Sequence, residues 1–157
     1  MTAGLDSLYQ EIILDHSKRP HGKSELSCVT DELITASHHE LNPSCGDEIT
    51  LDIAYDKKTD QIVELKWRGA GCSISMAAAS VLAQLINKQK PTPAAAQKLV
   101  DVFRAMLQTR DGSDVDNADL LEDAIAFYGV SKFVMRIKCA MLAWVALEID
   151  IKKLSDQ

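Results

Sequence analysis

The feature that most constrains the fold is the recurrence of large apolar residues at every second position in two neighbouring runs. Apolar side chains occupy every second position of residues 49–55, and again of residues 63–67. A period of two is typical of strands that bury one face. The turn-rich sequence 56–60 separates these runs, and a third strand-like run covers residues 33–36. Sequential strands with short connections predict a three-stranded antiparallel meander.

Helical patterns surround the predicted sheet. Apolar residues recur there at intervals of three and four, which is typical of amphipathic helices. We expect helices over these segments: 5–17, 73–88, 94–108, 118–127 and a long last helix reaching about residue 153. Ser131 is expected to cap the last helix, after a turn at residues 128–130. With 157 residues, no internal repeat and no linker, the chain is predicted to be a single α+β domain over residues 1–157.

Charge and hydropathy exclude several classes of function. The chain carries 17 Lys and Arg against 23 Asp and Glu, a formal net charge of −6. Nucleic-acid-binding proteins usually show a basic surface, so no nucleic-acid partner is expected. The longest apolar stretch, residues 139–147, has nine residues, whereas a membrane-spanning helix needs about 20. The first 15 residues contain no Lys or Arg and do not resemble a signal peptide. We therefore expect a cytoplasmic protein with no membrane partner.

Three of the four cysteines lie at positions that favour metal binding or nucleophilic reactions. In a reducing compartment, four cysteines are better interpreted as ligands, nucleophiles or small core residues than as disulfides. Cys45 and Asp47 share a loop between predicted strands, Cys72 lies at a sheet-to-helix junction, and Cys139 lies in the last helix. Three thiolates and a carboxylate suit tetrahedral zinc, and sulfur ligands also suit iron–sulfur chemistry. Gaps of 27 and 67 residues match no local zinc motif, so separate buried cysteines remain an open alternative.

Four sequence motifs identify a family. They are Leu-Tyr-Gln-Glu-Ile-Ile-Leu-Asp-His (8–16), Asn-Pro-Ser-Cys-Gly-Asp (42–47), Gly-Ala-Gly-Cys-Ser-Ile-Ser (69–75) and Arg-Ile-Lys-Cys-Ala-Met-Leu-Ala-Trp (136–144). In this order they resemble the NifU/IscU family of iron–sulfur cluster assembly proteins, from about residue 5 to residue 150. The resemblance implies the IscU/NifU-like N-terminal domain fold, a three-stranded antiparallel sheet packed against several helices.

The resemblance also implies a site and a branch of the family. Carried over residue by residue, the metal ligands are Cys45, Asp47, Cys72 and Cys139. Scaffolds of the IscU type have histidine before the last cysteine, where this chain has Lys138. They also have a Leu-Pro-Pro-Val-Lys segment, which residues 131–136 lack. Together with an apparent insertion at about 111–131, these differences are the pattern of the SufU branch.

Members of the SufU branch are zinc-dependent sulfur acceptors for a SufS-like cysteine desulfurase. The resemblance implies that a desulfurase histidine replaces one thiolate on zinc and that the released thiolate attacks the enzyme's persulfide. We expect Cys45 to be the acceptor, because it lies on a loop, and Asp47 to hold the metal. Arg136, one helical turn before Cys139, is a candidate for steadying thiolate or persulfide charge. The sulfur would pass to downstream iron–sulfur assembly proteins, so the chain would work as a sulfurtransferase.

Two alternatives remain open at this stage. The same residues would suit a scaffold that holds a transient iron–sulfur cluster and transfers it to apoproteins. Lys138 disfavours this reading, because a protonated ammonium group has no lone pair for a metal. The second alternative is a structural metal-binding interaction module without sulfur chemistry.

Several other residues receive minor interpretations. Cys28 matches no family motif and is interpreted as a bystander, and Trp67 and Trp144 as core residues. Six acids between positions 111 and 123 are interpreted as a solvated face, with electrostatic docking of a desulfurase as the alternative. His16 belongs to the first family motif but receives no role.

Overall fold

A three-stranded sheet and a set of helices make up the fold of this computed structural model, which describes residues 3–27, 29–109 and 116–156. The elements, in chain order, are α1 (Ala3–Lys18), β1 (Leu33–Asn42), β2 (Asp47–Asp56), β3 (Gln61–Ala70), α2 (Ser73–Gln89), α3 (Pro93–Gln108), a 3-10 segment (Ala118–Lys132) and α4 (Val134–Ser155). The predicted α+β architecture, with three sequential strands and helices on both sides of them in the chain, is confirmed.

The sheet is an antiparallel meander of order β1-β2-β3. Leu51 of β2 lies opposite His38 on one side and Trp67 on the other. The alternation of β2 places Ile49, Leu51 and Ile53 on one face, where all three are fully buried. Because α4 packs on β1 and β2 while α2 packs on β3, the helices cover this sheet. Loops at one end of the sheet therefore lie beside the starts of α2 and α4.

Aromatic packing joins α3 and α4 in the core. Trp144 stacks on Phe103, with ring centroids 3.9 Å apart and planes 7° from parallel. Phe127 of the 3-10 segment meets Phe103 edge-on, with ring centroids 5.9 Å apart. Both Trp67 and Trp144 are fully buried, as predicted. These contacts fix α4, and therefore Cys139, relative to the rest of the molecule.

The region before α4 differs from the sequence-based prediction. A helix over 118–127, a turn at 128–130 and a cap at Ser131 were expected. The structure instead has 3-10 geometry through Lys132, kinked at Glu122, where φ is 50°. Ser131 is buried within it, and α4 begins after Phe133, whose side chain forms no capping hydrogen bond. Buried Leu121, Phe127 and Val130 hold the segment against the core, so packing outweighs the capping preference of serine.

Hydropathy of the helices agrees with the composition. Across the described residues, none of the helices is long and apolar enough to cross a lipid bilayer.

Candidate metal centre

The loop between β1 and β2 presents Cys45 and Asp47. The N–H of Cys45 donates to the carbonyl oxygen of Asn42 at 3.2 Å, which closes a tight turn. Gly46 follows with a φ of +70°, a left-handed conformation that glycine adopts without steric cost. The chain therefore reverses within four residues. Cys45 is left exposed on the turn, while Asp47 enters β2 almost completely buried.

Asp47 is fixed by the start of α2. Its Oδ1 accepts a hydrogen bond of 2.8 Å from the backbone N–H of Cys72. Its Oδ2 lies 3.9 Å from Cys72 Sγ. Gly71 makes this approach possible, because a Cβ there would lie 2.5 Å from Asp47 Oδ1. One carboxylate oxygen is thus bound to the backbone, and the other faces the thiols.

Cys139 lies at the buried end of the site. Its Sγ is 3.3 Å from Cys45 Sγ and donates to it. Asn42, itself buried, donates from Nδ2 to the same sulfur at 3.7 Å. Burial raises the pKa of the Cys139 thiol well above its usual value, and hydrogen bonds with Cys45 and Asp47 raise it further. Without a cation nearby, Cys139 is therefore a protonated thiol.

Cys72 behaves differently, at the N-terminus of α2. It is half-buried, and Ser75 Oγ lies 3.6 Å from its Sγ. Burial opposes ionisation of this thiol, but hydrogen bonds from the Ser75 backbone and hydroxyl and from Cys139 together outweigh it. The net effect is a lowered pKa for Cys72. A thiolate is therefore favoured at the helix N-terminus, where the backbone dipole also stabilises negative charge.

The donor set fits a thiophilic divalent ion. Ligand atoms of Cys45, Asp47 and Cys139 all lie within 4.8 Å of one another, and Cys72 adjoins them through Asp47. Tetrahedral zinc with bonds of about 2.3 Å to sulfur places its sulfur ligands about 3.8 Å apart. The observed separation of 3.3 Å between two sulfurs is close to that value. Residues separated by up to 94 positions thus form one group that sequence spacing alone did not reveal.

Arg136 does not join this group directly. It is exposed and lines a groove of about 730 Å³ that Cys72 also lines. Among the four arginines of the described residues, Arg19, Arg68 and Arg104 each have a carboxylate within 4.0 Å, whereas Arg136 has none. Its guanidinium is therefore available to a group that arrives from outside.

His16 is a residue whose importance the sequence analysis missed. It is buried, and its Nδ1 lies 2.7 Å from Ser80 Oγ in α2. Its Nε2 lies 3.4 Å from Asp123 of the 3-10 segment. The same hydroxyl of Ser80 accepts the backbone N–H of His21 at 2.8 Å. The His16 side chain therefore connects α1, α2 and the 3-10 segment. Its only sequence signal was membership of the first family motif.

Two acids of the run between positions 111 and 123 contact other side chains of the same molecule. Glu122 accepts hydrogen bonds from Lys88 and Gln89, each at 2.7 Å, and Asp123 pairs with His16. These two acids therefore have structural partners within the chain. Asp111 and Asp114 of the run, and Cys28, lie outside the described residues.

Comparisons with known proteins agree with this architecture. A family model for the NifU-like N-terminal domain matches residues 8–140. The zinc-dependent sulfurtransferase SufU of Bacillus subtilis is 41% identical over 96% of this chain and 94% of its own length. An iron–sulfur cluster assembly scaffold protein IscU of Streptococcus pyogenes is 37% identical over 95% of this chain and 86% of its own length.

A solved structure supports the fold independently. The N-terminal part of a NifU-like protein from Brucella abortus has a TM-score of 0.77, covers 97% of each chain and is 18% identical. The family model spans all four sequence motifs except the last four residues of the final one. The chain therefore belongs to the family of NifU-like N-terminal domains.

Proposed function

We propose that this protein acts in iron–sulfur cluster assembly as a zinc-dependent sulfur acceptor for a cysteine desulfurase. The observation that carries the proposal is the unequal exposure of two adjacent thiols. Cys45 is exposed on a turn, whereas Cys139, 3.3 Å away, is fully buried in α4. A sulfur acceptor needs one thiol that a partner can reach and fixed groups beside it. The 41% identity to a zinc-dependent sulfurtransferase supports the same conclusion.

Cys45, Asp47, Cys72 and Cys139 would hold the zinc ion. Bound there, zinc keeps thiols deprotonated at neutral pH and protects them from oxidation. This matters most for Cys139, because burial otherwise keeps that thiol protonated. Asp47 is a rigid ligand, since its Oδ1 is fixed by the Cys72 N–H while Oδ2 faces the thiols.

Cys45 carries out the transfer. Its thiolate attacks the outer sulfur of the desulfurase persulfide, and a new S–S bond forms at Cys45 as the S–S bond of the enzyme breaks. The desulfurase cysteine leaves as a thiolate, so no external oxidant or reductant is needed. Gly46, with a positive φ and open space around it, separates the exposed Cys45 from the fixed Asp47.

Arg136 is a binding residue in this proposal. It has no carboxylate partner among the described residues and lines the groove beside Cys72. A guanidinium in that position stabilises the negative charge of an approaching persulfide or of the departing thiolate. The recipients of the sulfur would be downstream iron–sulfur assembly proteins in the cytoplasm.

A scaffold role is the second candidate. It is favoured by the same three converging ligand atoms and by the 37% identity to an IscU scaffold protein. In that case the site would hold an iron–sulfur cluster as cargo before transfer. Lys138, exposed beside Cys139, offers no lone pair while it is protonated. A purely structural metal site is disfavoured, because Cys45 is exposed and lies outside the packed core.

Desulfurase turnover without iron tests the proposal. Three preparations are compared: zinc-loaded protein, zinc-stripped protein and zinc-loaded Cys45→Ala. We expect strong acceleration by the first preparation alone. Equal acceleration by Cys45→Ala would contradict the role of Cys45. If no preparation accelerates turnover, anaerobic loading with iron and sulfide distinguishes the scaffold from a structural module.

A further inference from the structure

The groove that Arg136 lines combines apolar walls with basic side chains. It runs between α1, the start of α2, the 3-10 segment and the start of α4. Its lining is mostly apolar, with Ile13 and Leu14 on one wall and Phe133 on the other. Leu14 is 51% exposed and Phe133 is 61% exposed. Apolar side chains this large are seldom left in water in a concave site unless something binds there.

The apolar surface continues from the groove along the start of α4. Val134 and Met135, which follow Phe133 directly, are also more than half exposed. Three large apolar residues in sequence thus face solvent at the N-terminus of a helix whose next buried residue is a candidate metal ligand. Cys72 connects the groove to the metal centre, because it lines the groove and its sulfur lies 3.9 Å from Asp47 Oδ2.

Among the described residues, the charged side chains that line the groove have one sign. They are Lys132 and Arg136, although the whole chain has a net charge of −6. Neither has an ion pair with any described residue. Unpaired cations beside an apolar cleft favour an occupant that carries carboxylates next to apolar side chains.

We propose that this groove is the docking site for a segment of the cysteine desulfurase with apolar and acidic side chains. Apolar side chains of the segment would pack between Leu14 and Phe133, and a carboxylate would lie against Lys132, which leaves Arg136 for the persulfide. Because Cys72 lines the same groove, a segment bound there is held beside the metal centre. This inference rests on the proposed function and adds the surface and the chemistry of the partner segment.

Binding measurements test the groove directly. Zinc-loaded protein is titrated with the desulfurase by calorimetry, using wild type, Phe133→Ser and the matched control Val29→Ser. Val29 is 63% exposed and does not line the groove. Loss of a central aromatic residue typically weakens an interface by about 10-fold or more. We expect that increase in Kd for Phe133→Ser, with the same increase in the half-saturating concentration during turnover, and no change for Val29→Ser.

Charge reversal at Lys132 tests whether the groove selects an acidic segment. Lys132→Glu is expected to lower the association rate about 10-fold at low salt and to reduce its salt dependence. Lys98→Glu, an equal charge change at an exposed position of α3, serves as the control. If Lys132→Glu and Lys98→Glu behave alike, the groove does not select an acidic segment.

The outcomes separate failure of the groove from failure of the function. Wild type that neither binds the desulfurase nor accepts sulfur overturns the proposed function itself. Wild type that does both, with Phe133→Ser equal to Val29→Ser, overturns the groove alone. Leu14→Ser replaces Phe133→Ser if the latter loses its thermal transition or its zinc. Sedimentation adds a further check: a wild-type dimer abolished by Phe133→Ser, with desulfurase affinity unchanged, would assign the groove to a second copy and contradict the proposal.

Discussion

Each end of α4 buries an ionisable side chain, but only the one near the start has hydrogen-bond partners among the described residues. Near the start, Cys139 is fully buried, but its sulfur has Cys45 at 3.3 Å and Asn42 at 3.7 Å. Near the end, Asp150 is equally buried, and neither of its carboxylate oxygens has a hydrogen-bond partner among the described residues. A buried thiol acts as a small apolar group, whereas a buried carboxylate is costly when charged. Burial therefore holds a candidate metal ligand in place near the start of α4, whereas near the end it makes the charged form of Asp150 unfavourable.

Electrostatics sharpen this contrast. Burial raises the pKa of Asp150 to about 8; the charge of Asp52 adds to the increase, and Lys153 opposes it. Asp150 is thus mostly protonated at neutral pH. At the other end, the high pKa of Cys139 can be overcome by a bound cation. The raised pKa of Asp150 affects the free energy of unfolding, and the raised pKa of Cys139 affects zinc affinity and sulfur transfer.

The largest expected effect separates the two adjacent thiols. Cys45→Ala should reduce sulfur acceptance by at least about 100-fold, because the attacking group is lost, with little change in the melting temperature of the zinc-free protein. Cys139→Ala should lose zinc and also lower the free energy of unfolding by about 1 kcal/mol, because it leaves a small cavity in the core. Turnover assays and thermal denaturation measure both. Equal destabilisation by the two substitutions would break the distinction between exposed and buried ligands.

A change that removes no ligand tests the geometry of the site. In Gly71→Ala, the added Cβ would lie 2.5 Å from Asp47 Oδ1 and 2.6 Å from Ser75 Oγ. The carboxylate must move, so we expect zinc affinity to fall about 10-fold, as for other changes to groups that orient ligands. Competition with a chromophoric chelator measures the affinity.

Gly129→Ala is the matched control for this test. A Cβ at position 129 would meet no atom within 4 Å. If both alanine variants bind zinc as the wild type does, Asp47 is not held in place as described.

Asp150 tests the other end of the comparison. Its pKa is raised on folding, so the folded state keeps a proton that the unfolded state releases above about pH 4. The free energy of unfolding therefore falls as pH rises from about 4 to about 8, and levels off above that range. Asp150→Asn should remove this decline, which amounts to about 3.5 kcal/mol between pH 5 and pH 8.

Urea denaturation at several pH values measures this effect. Asp119→Asn, an exposed position, provides the control. A wild-type curve that is flat over this interval, or unaltered by Asp150→Asn, would show that Asp150 is ionised in the folded protein.

The smallest expected effect concerns the hydrogen bonds of Ser80 with His16 and His21. Ser80→Ala removes the hydroxyl that contacts His16 Nδ1 and the His21 N–H. Leaving buried polar groups unpaired typically costs about 1 kcal/mol or more, so we expect a loss of about that size. Ser7→Ala on the exposed part of α1 should have no measurable effect. Chemical denaturation compares the two, and equal stabilities would mean that water replaces the lost partner.

Much of the fold was predictable from periodicity. Alternation in 49–55 located β2, and helical spacing located α3 and α4 to within a few residues. The cap at Ser131 was wrong, because the buried side chains of the 3-10 segment decide where α4 begins, and that packing is invisible in a local pattern. Tertiary contacts outweighed a residue preference there.

The candidate site was predictable only through the family motifs. Spacing alone could not bring Cys45 within 3.3 Å of a thiol 94 positions away. The burial of His16 depends on Ser80 and Asp123, 64 and 107 positions away, so no local signal marked it. Asp150 was missed for the same reason, since its surroundings arise from packing of α4 against the sheet.

The most direct test of the central claim is to locate the transferred sulfur. The zinc-loaded protein is mixed with desulfurase and cysteine for one turnover, alkylated and digested, and each cysteine peptide is examined by mass spectrometry. The account predicts one extra sulfur atom on Cys45 and none on Cys139 or Cys72. Extra sulfur on Cys139 or Cys72, with Cys45 unmodified, would contradict it.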